Sequence, residues 1–506
     1  MKPHTTRTVA DVCIIVEGSY PYVAGGVSSW VHDLLQAQHD LSFHLLVLKA
    51  DDAPARPKFA LPANVVGITE VALQSDEPQV PAGRSIDPLM RRLEAPLKRL
   101  LRRGGRDDLA AVIAALRSHP AITRGLLLNS EPAFEMLQRI YDDAVPGCSF
   151  LRYFWSWRSL VGGLFAVLLA ELPRARTYHA ISTGYAGLFM ARAVIETGRP
   201  GLLTEHGIYT NERRIEIAMA DWLIEAESES LDIVRRHRDL REFWLDAFQA
   251  YSTVCYACCE SVVTLYRGNQ VLQLRDGAPA QRMAVIPNGI DVNLYSSVQR
   301  TAGPRPPTVA LIGRVVPIKD VKAFIRATAL LRERVPGVRA LMLGPIDEDP
   351  VYFDECREMV AHLGLEGMFE FTGRVRLVDR LGEIDVVVLT SLSEAQPLVL
   401  LEAGAAGVPC VATDVGACRE IIEGRSDESP PLGPGGFVTP MANPRAVAHA
   451  LADLLLDPAL HQRCAQAMRE RTRLYYDKAG VDRSYHALYA QHLARPALPR
   501  RATEEV

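Results

Sequence analysis

The sequence predicts an α/β protein made of two doubly wound domains, with a helical insertion in the first. Three observations carry that prediction. From Thr308 onward, short β-branched runs alternate with amphipathic segments of helical period, the pattern of a parallel sheet with crossover helices. The same units recur less densely in the first half. Between them, PNGIDVNLYSSVQRTAGPRPP, from Pro287 to Pro307, has the turn residues and prolines of a linker. The chain's 506 residues exceed what one hydrophobic core usually serves, and 48% hydrophobic with 23% charged residues is an ordinary globular balance.

The first strand is read at Val12 to Val16. The opening MKPHTTRTVADVCIIVEG has no cleavage-site pattern after its apolar run, so it reads as a strand rather than a signal peptide, and a cytoplasmic protein is expected. Further strands are predicted at Phe43 to Leu48, Thr177 to Ile181, Leu202 to Thr204 and Met283 to Ile286. Between about Pro78 and Gly147 the strand rhythm gives way to helical periodicity, which defines the insertion. Leu160 to Ala170 is apolar but falls far short of the roughly 20 residues of a spanning helix, so it reads as a buried helix. In the second half the strands are VALIG, RALML, FEFTG, DVVVLT, CVAT and GFVTP, with helices predicted at Val321 to Arg332, Phe353 to Leu363 and Leu398 to Ala406. The predicted domains are 1–300 and 301–470, followed by a C-terminal helix over 471–495 and a disordered tail over 496–506.

A formal charge of −4 offers no global field for a nucleic-acid backbone, so nucleic acid is excluded as a bulk partner. Nine cysteines without regular pairing distances suit a reducing compartment. Cys255, Cys258 and Cys259 form the one cluster with metal-like spacing. No second pair or nearby His completes a tetrahedron, so the reading is buried packing and no metal site. Arg91, Arg92, Lys98, Arg99, Arg102, Arg103 and Arg106 share a segment with Leu89, Leu93, Leu97, Leu100 and Leu101, interrupted by Pro96. That pattern suits either an anionic membrane surface or a solvated helix packed by its leucines.

Ligands of open parallel sheets bind beyond the carboxyl ends of the strands, so the loops there have the first claim to function. After the first strand, EGSYPYVAGGV sets Gly25 and Gly26 before a helix, where backbone N–H groups can approach a phosphate. After the strand at 309–312, GRVVPIKD places Arg314 and Lys319 around a loop that opens a helix, two cations suited to a diphosphate. After the strand at 386–390, SLSEAQPLVLLE puts Glu394 in the loop and Glu402 eight positions on, within reach of a sugar and a ribose respectively. Pro397, which lacks an N–H, fits the first turn of the helix that starts at Leu398. The triplet Asp347-Glu348-Asp349 reads as a solvated acidic loop.

These residues carry a resemblance. GRxxxxK, E-x7-E, the glycine pair after the first strand and the HG of TEHGIY look like glycosyltransferase family 4, of the two-domain GT-B fold. Within it, EGSYPYVAGGVSSWVHDL and SEAQPLVLLEAGAAGVPCVATDVGACRE are closely similar to the soluble transferases of Pel exopolysaccharide assembly. The resemblance implies two Rossmann-like domains facing across a cleft and a retaining, metal-independent transfer from a UDP-sugar, with no cofactor, to a polysaccharide acceptor. It implies that Arg314 and Lys319 hold the donor diphosphate, Glu402 the ribose and Glu394 the sugar, and that Gly25 and Gly26 cap the phosphate. Gly373 to Val375 would border the base, and His206 would face the reacting sugar. Gln396 and Pro397 depart from the Phe-Gly common in the family, so the donor sugar stays open. An inner-membrane synthase or export complex is the implied partner. The rival readings are another GT-B synthase using ADP-glucose and an inactive sugar-nucleotide-binding scaffold.

Overall fold

The computed structural model describes residues 9–75, 86–145, 148–218 and 239–494. The predicted tail 496–506 lies outside the described residues. Seven strands form the first sheet: β1 Ala10–Glu17, β2 Phe43–Lys49, β3 Val65–Ala72, β4 Ala175–Ala180, β5 Gly201–Glu205, β6 Cys259–Thr264 and β7 Met283–Val285. Their order is β3-β2-β1-β4-β5-β6-β7, and every pairing is parallel. The second sheet holds β8 Thr308–Ile312, β9 Arg339–Leu343, β10 Phe369–Gly373, β11 Val386–Leu389, β12 Cys410–Thr413 and β13 Gly436–Thr439. Its order is β10-β9-β8-β11-β12-β13, also parallel throughout. Central strands such as CIIV of β1 and VVVL of β11 are apolar without alternation because helices cover both faces. In each sheet the chain steps outward on one side and returns on the other, which puts a switch point between β1 and β4 and another between β8 and β11.

Two strands escape the sequence reading. β3 lies at an edge, and its VVGITEVA alternates between half-buried and exposed positions instead of forming an apolar run. β6 starts at Cys259, directly after the helix Leu240–Cys258, with no turn residue to separate them. All nine cysteines are free and buried.

By contact the chain divides into two compact units, one of residues 1–264, 269–285 and 486–506, the other of 265–268 and 286–485. Residues 286–300, read from sequence as the end of the first domain, group with the second unit. The cause is local: Ile290 N–H donates to Tyr476 O (2.9 Å), and Lys478 N–H donates to Ile290 O (2.9 Å). The helix expected over 471–495 is two helices, Pro458–Tyr475 and Lys478–Leu493, and the second groups with the first unit from His486 on. There Tyr489 OH lies 2.8 Å from His179 Nδ1, and His492 Nε2 lies 2.9 Å from Ser261 Oγ.

The insertion is part of the first unit's core. Helices Asp87–Arg103, Arg106–Arg117, Arg124–Asn129 and Glu131–Ala144 occupy it, and Leu89, Leu93, Leu97, Leu100 and Leu101 are all buried in the core of that unit. The apolar face of the basic segment is therefore turned inward, while Lys98 pairs with Asp143 and Arg99 with Asp108 (2.6 Å). Phe150–Leu169 is the buried helix foreseen around Leu160. Among the described residues no helix is long and apolar enough to cross a membrane.

Gly344, just past β9, holds φ at +148°, and a Cβ there would lie 1.9 Å from the carbonyl oxygen of Gly313. The ends of β8 and β9 can approach this closely only without a side chain. Gly344→Ala is expected to destabilise the fold by at least about 2 kcal/mol, through backbone strain and displacement of the 313–320 loop, and a denaturant melt measures it.

Candidate active site

At the switch point of the second unit, the loops after β8 and β11 are tied together. Thr390 Oγ1 donates to Lys319 O and to Asp320 O (both 2.9 Å), and Leu392 N–H donates to Ile318 O (2.9 Å). Lys319 Nζ meets Glu394 Oε1 at 2.5 Å, and Ser391 Oγ donates to the same oxygen at 2.6 Å. Both partners are largely buried, so the ion pair is little screened and sets the direction of each side chain. Asp320, at φ +43°, caps the helix Val321–Arg334 by accepting from Ala323 N–H (3.1 Å). Arg314 is exposed, and its guanidinium donates to Glu348 Oε1 at 2.6 Å. The acidic triplet is thus engaged with its surroundings: Glu348 holds Arg314, and Asp349 caps the helix Pro350–His362.

The other donor residues predicted in the second half of the chain lie in the same unit. Pro397 is the cap of the helix Leu398–Ala405, with Leu398 at its first, exposed position. Glu402 sits in that helix and accepts from Tyr295 OH at 2.8 Å. Burial pushes the Glu402 carboxyl up, and the tyrosine hydrogen bond opposes the shift. Gln396 Oε1 accepts from Asn288 N–H at 2.7 Å, while its Nε2 is buried without a partner. Gly373 closes β10 at φ +68°, its carbonyl accepting from Gly344 N–H (3.0 Å), and Val375 is exposed two residues on. Arg314, Lys319, Gly373, Glu394, Gln396 and Glu402 therefore all lie at or beyond the carboxyl ends of β8, β10 and β11, in loops, at a strand end or in the helix Leu398–Ala405.

In the first unit, Gly25 caps and Gly26 opens the helix Gly26–Ala37. Neither is held to glycine by its neighbours, since a Cβ on either meets nothing within 4 Å. His206 follows β5, with its ring centroid 4.5 Å from that of Trp30 in an edge arrangement. Its Nε2 is buried without a partner, and burial pushes its pKa down to about 4. The ring is therefore neutral near pH 7, able to offer a hydrogen bond but not a charge.

Several polar residues here were not singled out from sequence. Glu205, immediately before His206, is fully buried and accepts from Tyr256 OH (2.7 Å) and Gln273 Nε2 (2.9 Å). Burial raises its carboxyl to about 7 against those hydrogen bonds. Glu17, the last residue of β1, accepts from Ala186 N–H (3.3 Å) and Tyr209 OH (3.4 Å) and is also pushed up by burial. His179 bridges Tyr489 OH and Thr204 Oγ1 (2.9 Å). The available signal was a carboxylate closing an otherwise apolar strand, as in VCIIVE and GLLTE. Among the described residues no three or more His, Cys, Asp or Glu side chains are grouped to hold a metal ion.

Two doubly wound parallel sheets, with polar loops beyond the carboxyl ends of their strands, define the GT-B class of glycosyltransferases. Solved structures share this fold: Anabaena Alr3699/HepE in complex with UDP (TM-score 0.56, 15% identity, covering 95% of this chain and 100% of that one) and sucrose-phosphate synthase from Thermosynechococcus elongatus (TM-score 0.57, 16% identity, covering 96% and 99%). Residues 10–281 match the family described as a domain of unknown function, DUF3492, and residues 297–471 match glycosyl transferases group 1. The chain belongs to the DUF3492 family. A D-inositol 3-phosphate glycosyltransferase of Kineococcus radiotolerans is 32% identical over 216 residues, covering 39% of this chain and 48% of that protein. An exopolysaccharide phosphotransferase of Streptomyces coelicolor is 31% identical over 247 residues, covering 48% and 24%. The chain thus spans less than half the length of either relative.

Two titrations test the buried groups. In NMR, the His206 ring is expected to titrate near 4 and to stay neutral from pH 6 to 8; a midpoint near the ordinary 6.5 contradicts its burial. Glu205 keeps its proton to about 7 when folded, against 4.5 ordinarily, so its contribution to stability is full below 4.5 and is lost as pH rises through 7. The melting temperature of Glu205→Gln relative to wild type should therefore rise from pH 5 to pH 8.5.

Proposed function

We propose that the chain is a retaining, metal-independent glycosyltransferase of family 4, of the PelF type. It moves a hexose or N-acetylhexosamine from a UDP-sugar to a growing exopolysaccharide. The observation that carries this reading is the Lys319–Glu394 pair at the β8/β11 switch point, with Arg314 on the same loop and Glu402 in the adjoining helix. A departing diphosphate develops negative charge, and Arg314 and Lys319 supply fixed positive charge where it forms, so no metal is needed for that step. Glu394, oriented by Lys319 and Ser391, accepts hydrogen bonds from sugar hydroxyls and positions the ring. Glu402 accepts from the ribose, and Gly373 and Val375 border the base. The open space around Gly25 and Gly26 leaves their N–H groups approachable by a phosphate oxygen. His206, neutral and with Nε2 unpartnered, is a hydrogen-bonding group for the reacting sugar. Retention follows from attack on the face from which the nucleotide departs, with Glu394 in a binding role.

The UDP named for the Anabaena structure and the exopolysaccharide named for the Streptomyces relative support the choice of donor and acceptor. A cytoplasmic enzyme acting beside an inner-membrane synthase or export complex fits this reading. With the leucines of the 87–103 helix facing inward, a membrane contact there would rest on its cations alone.

Calorimetric titration with UDP, ADP and GDP in EDTA tests the proposal. UDP is expected to bind best, to survive EDTA, and to weaken at least about 100-fold in an Arg314→Ala, Lys319→Ala double variant, since each charged hydrogen bond contributes roughly 1.5–3 kcal/mol. Well-folded protein that binds no nucleotide overturns it.

A further inference from the structure

The linker after β7 is fixed against the donor-side elements of its own unit. Asn288 N–H holds Gln396 Oε1 (2.7 Å), Ile290 exchanges backbone hydrogen bonds with Tyr476 and Lys478, and Tyr295 OH reaches Glu402 Oε1 (2.8 Å). Gly289 is pressed so closely on Lys478 that a Cβ there would lie 2.7 Å from its Cα. Tyr295 is carried on the short helix Val292–Ser296, whose start is capped by Asp291, Oδ1 accepting from Leu294 N–H at 3.0 Å. The hydroxyl therefore reaches Glu402 from a backbone that is itself held in place.

Glu402 needs such a partner. It is a carboxylate in a helix of otherwise apolar sequence, LVLLEAGA, and Tyr295 is its one hydrogen-bond partner among the described residues. A carboxylate has about four acceptor positions on two oxygens, so one bond to Oε1 fixes its plane and leaves the other positions for ligand hydroxyls. A ribose presents two adjacent hydroxyls, a donor set that such a half-occupied carboxylate can accept. The neighbouring Gln396 amide is held in the same manner: Asn288 N–H fixes its oxygen, and its Nε2 is buried without a partner.

We infer that Tyr295 is a positioning residue of the nucleotide site, holding the Glu402 carboxylate in the orientation that reads the ribose hydroxyls. This inference rests on the assignment of Glu402 to the ribose made above. The linker is then a wall of the donor site as well as a connection, and discrimination between ribo- and deoxyribonucleotides depends on a residue outside the E-x7-E segment.

The test measures dissociation constants of UDP, 2′-deoxy-UDP and 3′-deoxy-UDP for wild type, Tyr295→Phe, Glu402→Gln and the double variant, with melting temperatures alongside. Removing one hydroxyl that orients a ligand-binding carboxylate is expected to weaken UDP about fivefold to tenfold. It should also bring the ratio of deoxy-UDP to UDP affinity close to one, with Glu402→Gln giving the same loss of ratio and the double variant adding little. Tyr295→Phe that keeps the wild-type ratio, whether UDP affinity is unchanged or all three ligands weaken equally, overturns the inference while a lost ratio in Glu402→Gln leaves the ribose assignment standing. A wild-type ratio in Glu402→Gln, or no UDP binding by wild type, removes that assignment and the inference with it.

Discussion

A parallel sheet whose strand order reverses leaves a gap where two neighbouring strands send their chains to opposite faces, and the second unit is organised around that gap. The loops after β8 and β11 meet there, and the Lys319–Glu394 ion pair joins them. Two charges with so little exposure are tolerable only when paired and hydrogen-bonded: Ser391 bonds the Glu394 carboxylate, while the Thr390 hydroxyl ties down the backbone carbonyls of Lys319 and Asp320. Arg314, Asp320 and the start of the Glu402 helix take their places from these loops. The close approach of Gly344 to Gly313 extends the same constraint to β9 and, through the Gly373 carbonyl, to β10.

The first unit meets the same topological problem with buried carboxylates. Glu17 ends β1 and receives the N–H of Ala186 at the start of the helix Tyr185–Thr197. Glu205 ends β5 and receives Tyr256 and Gln273. Glu17 thus holds the start of the helix Tyr185–Thr197, Glu205 ties the end of β5 to the helices Leu240–Cys258 and Arg267–Arg275, and burial raises both carboxyls. His206 is therefore carried on a segment anchored one residue before it, with Trp30 against its ring.

The helical insertion shows how composition can mislead about a surface. Seven cations beside five leucines suit a helix packed by its leucines and, less readily, one lying on a membrane. Packing decides the matter for the leucines, because the helices Arg106–Arg117 and Glu131–Ala144 and the long helix Leu240–Cys258 bury them together. The carboxylates of Asp108 and Asp143 on two of those helices then meet Arg99 and Lys98.

By itself the sequence determined the repeating strand-helix units, the existence of two doubly wound parts and the loops that carry Arg314, Lys319, Glu394 and His206. Apolar period and turn chemistry are local properties, and residues at strand ends inherit their position from them. It also placed Gln396, Pro397, Leu398 and Glu402 at the start of one helix, because spacing within a helix is fixed by its pitch. It left β3 and β6 unread, since an alternating edge strand lacks the apolar run of an interior one and a strand that directly follows a helix has no punctuation. Only the tertiary structure decided which side chains meet. That Lys319 faces Glu394 across 75 positions, that Glu348 holds Arg314, and that Tyr295 of the linker reaches Glu402 are consequences of sheet order and chain return. A hydrogen bond forms within about 3 Å in space whatever the separation along the chain, and no local pattern encodes that distance.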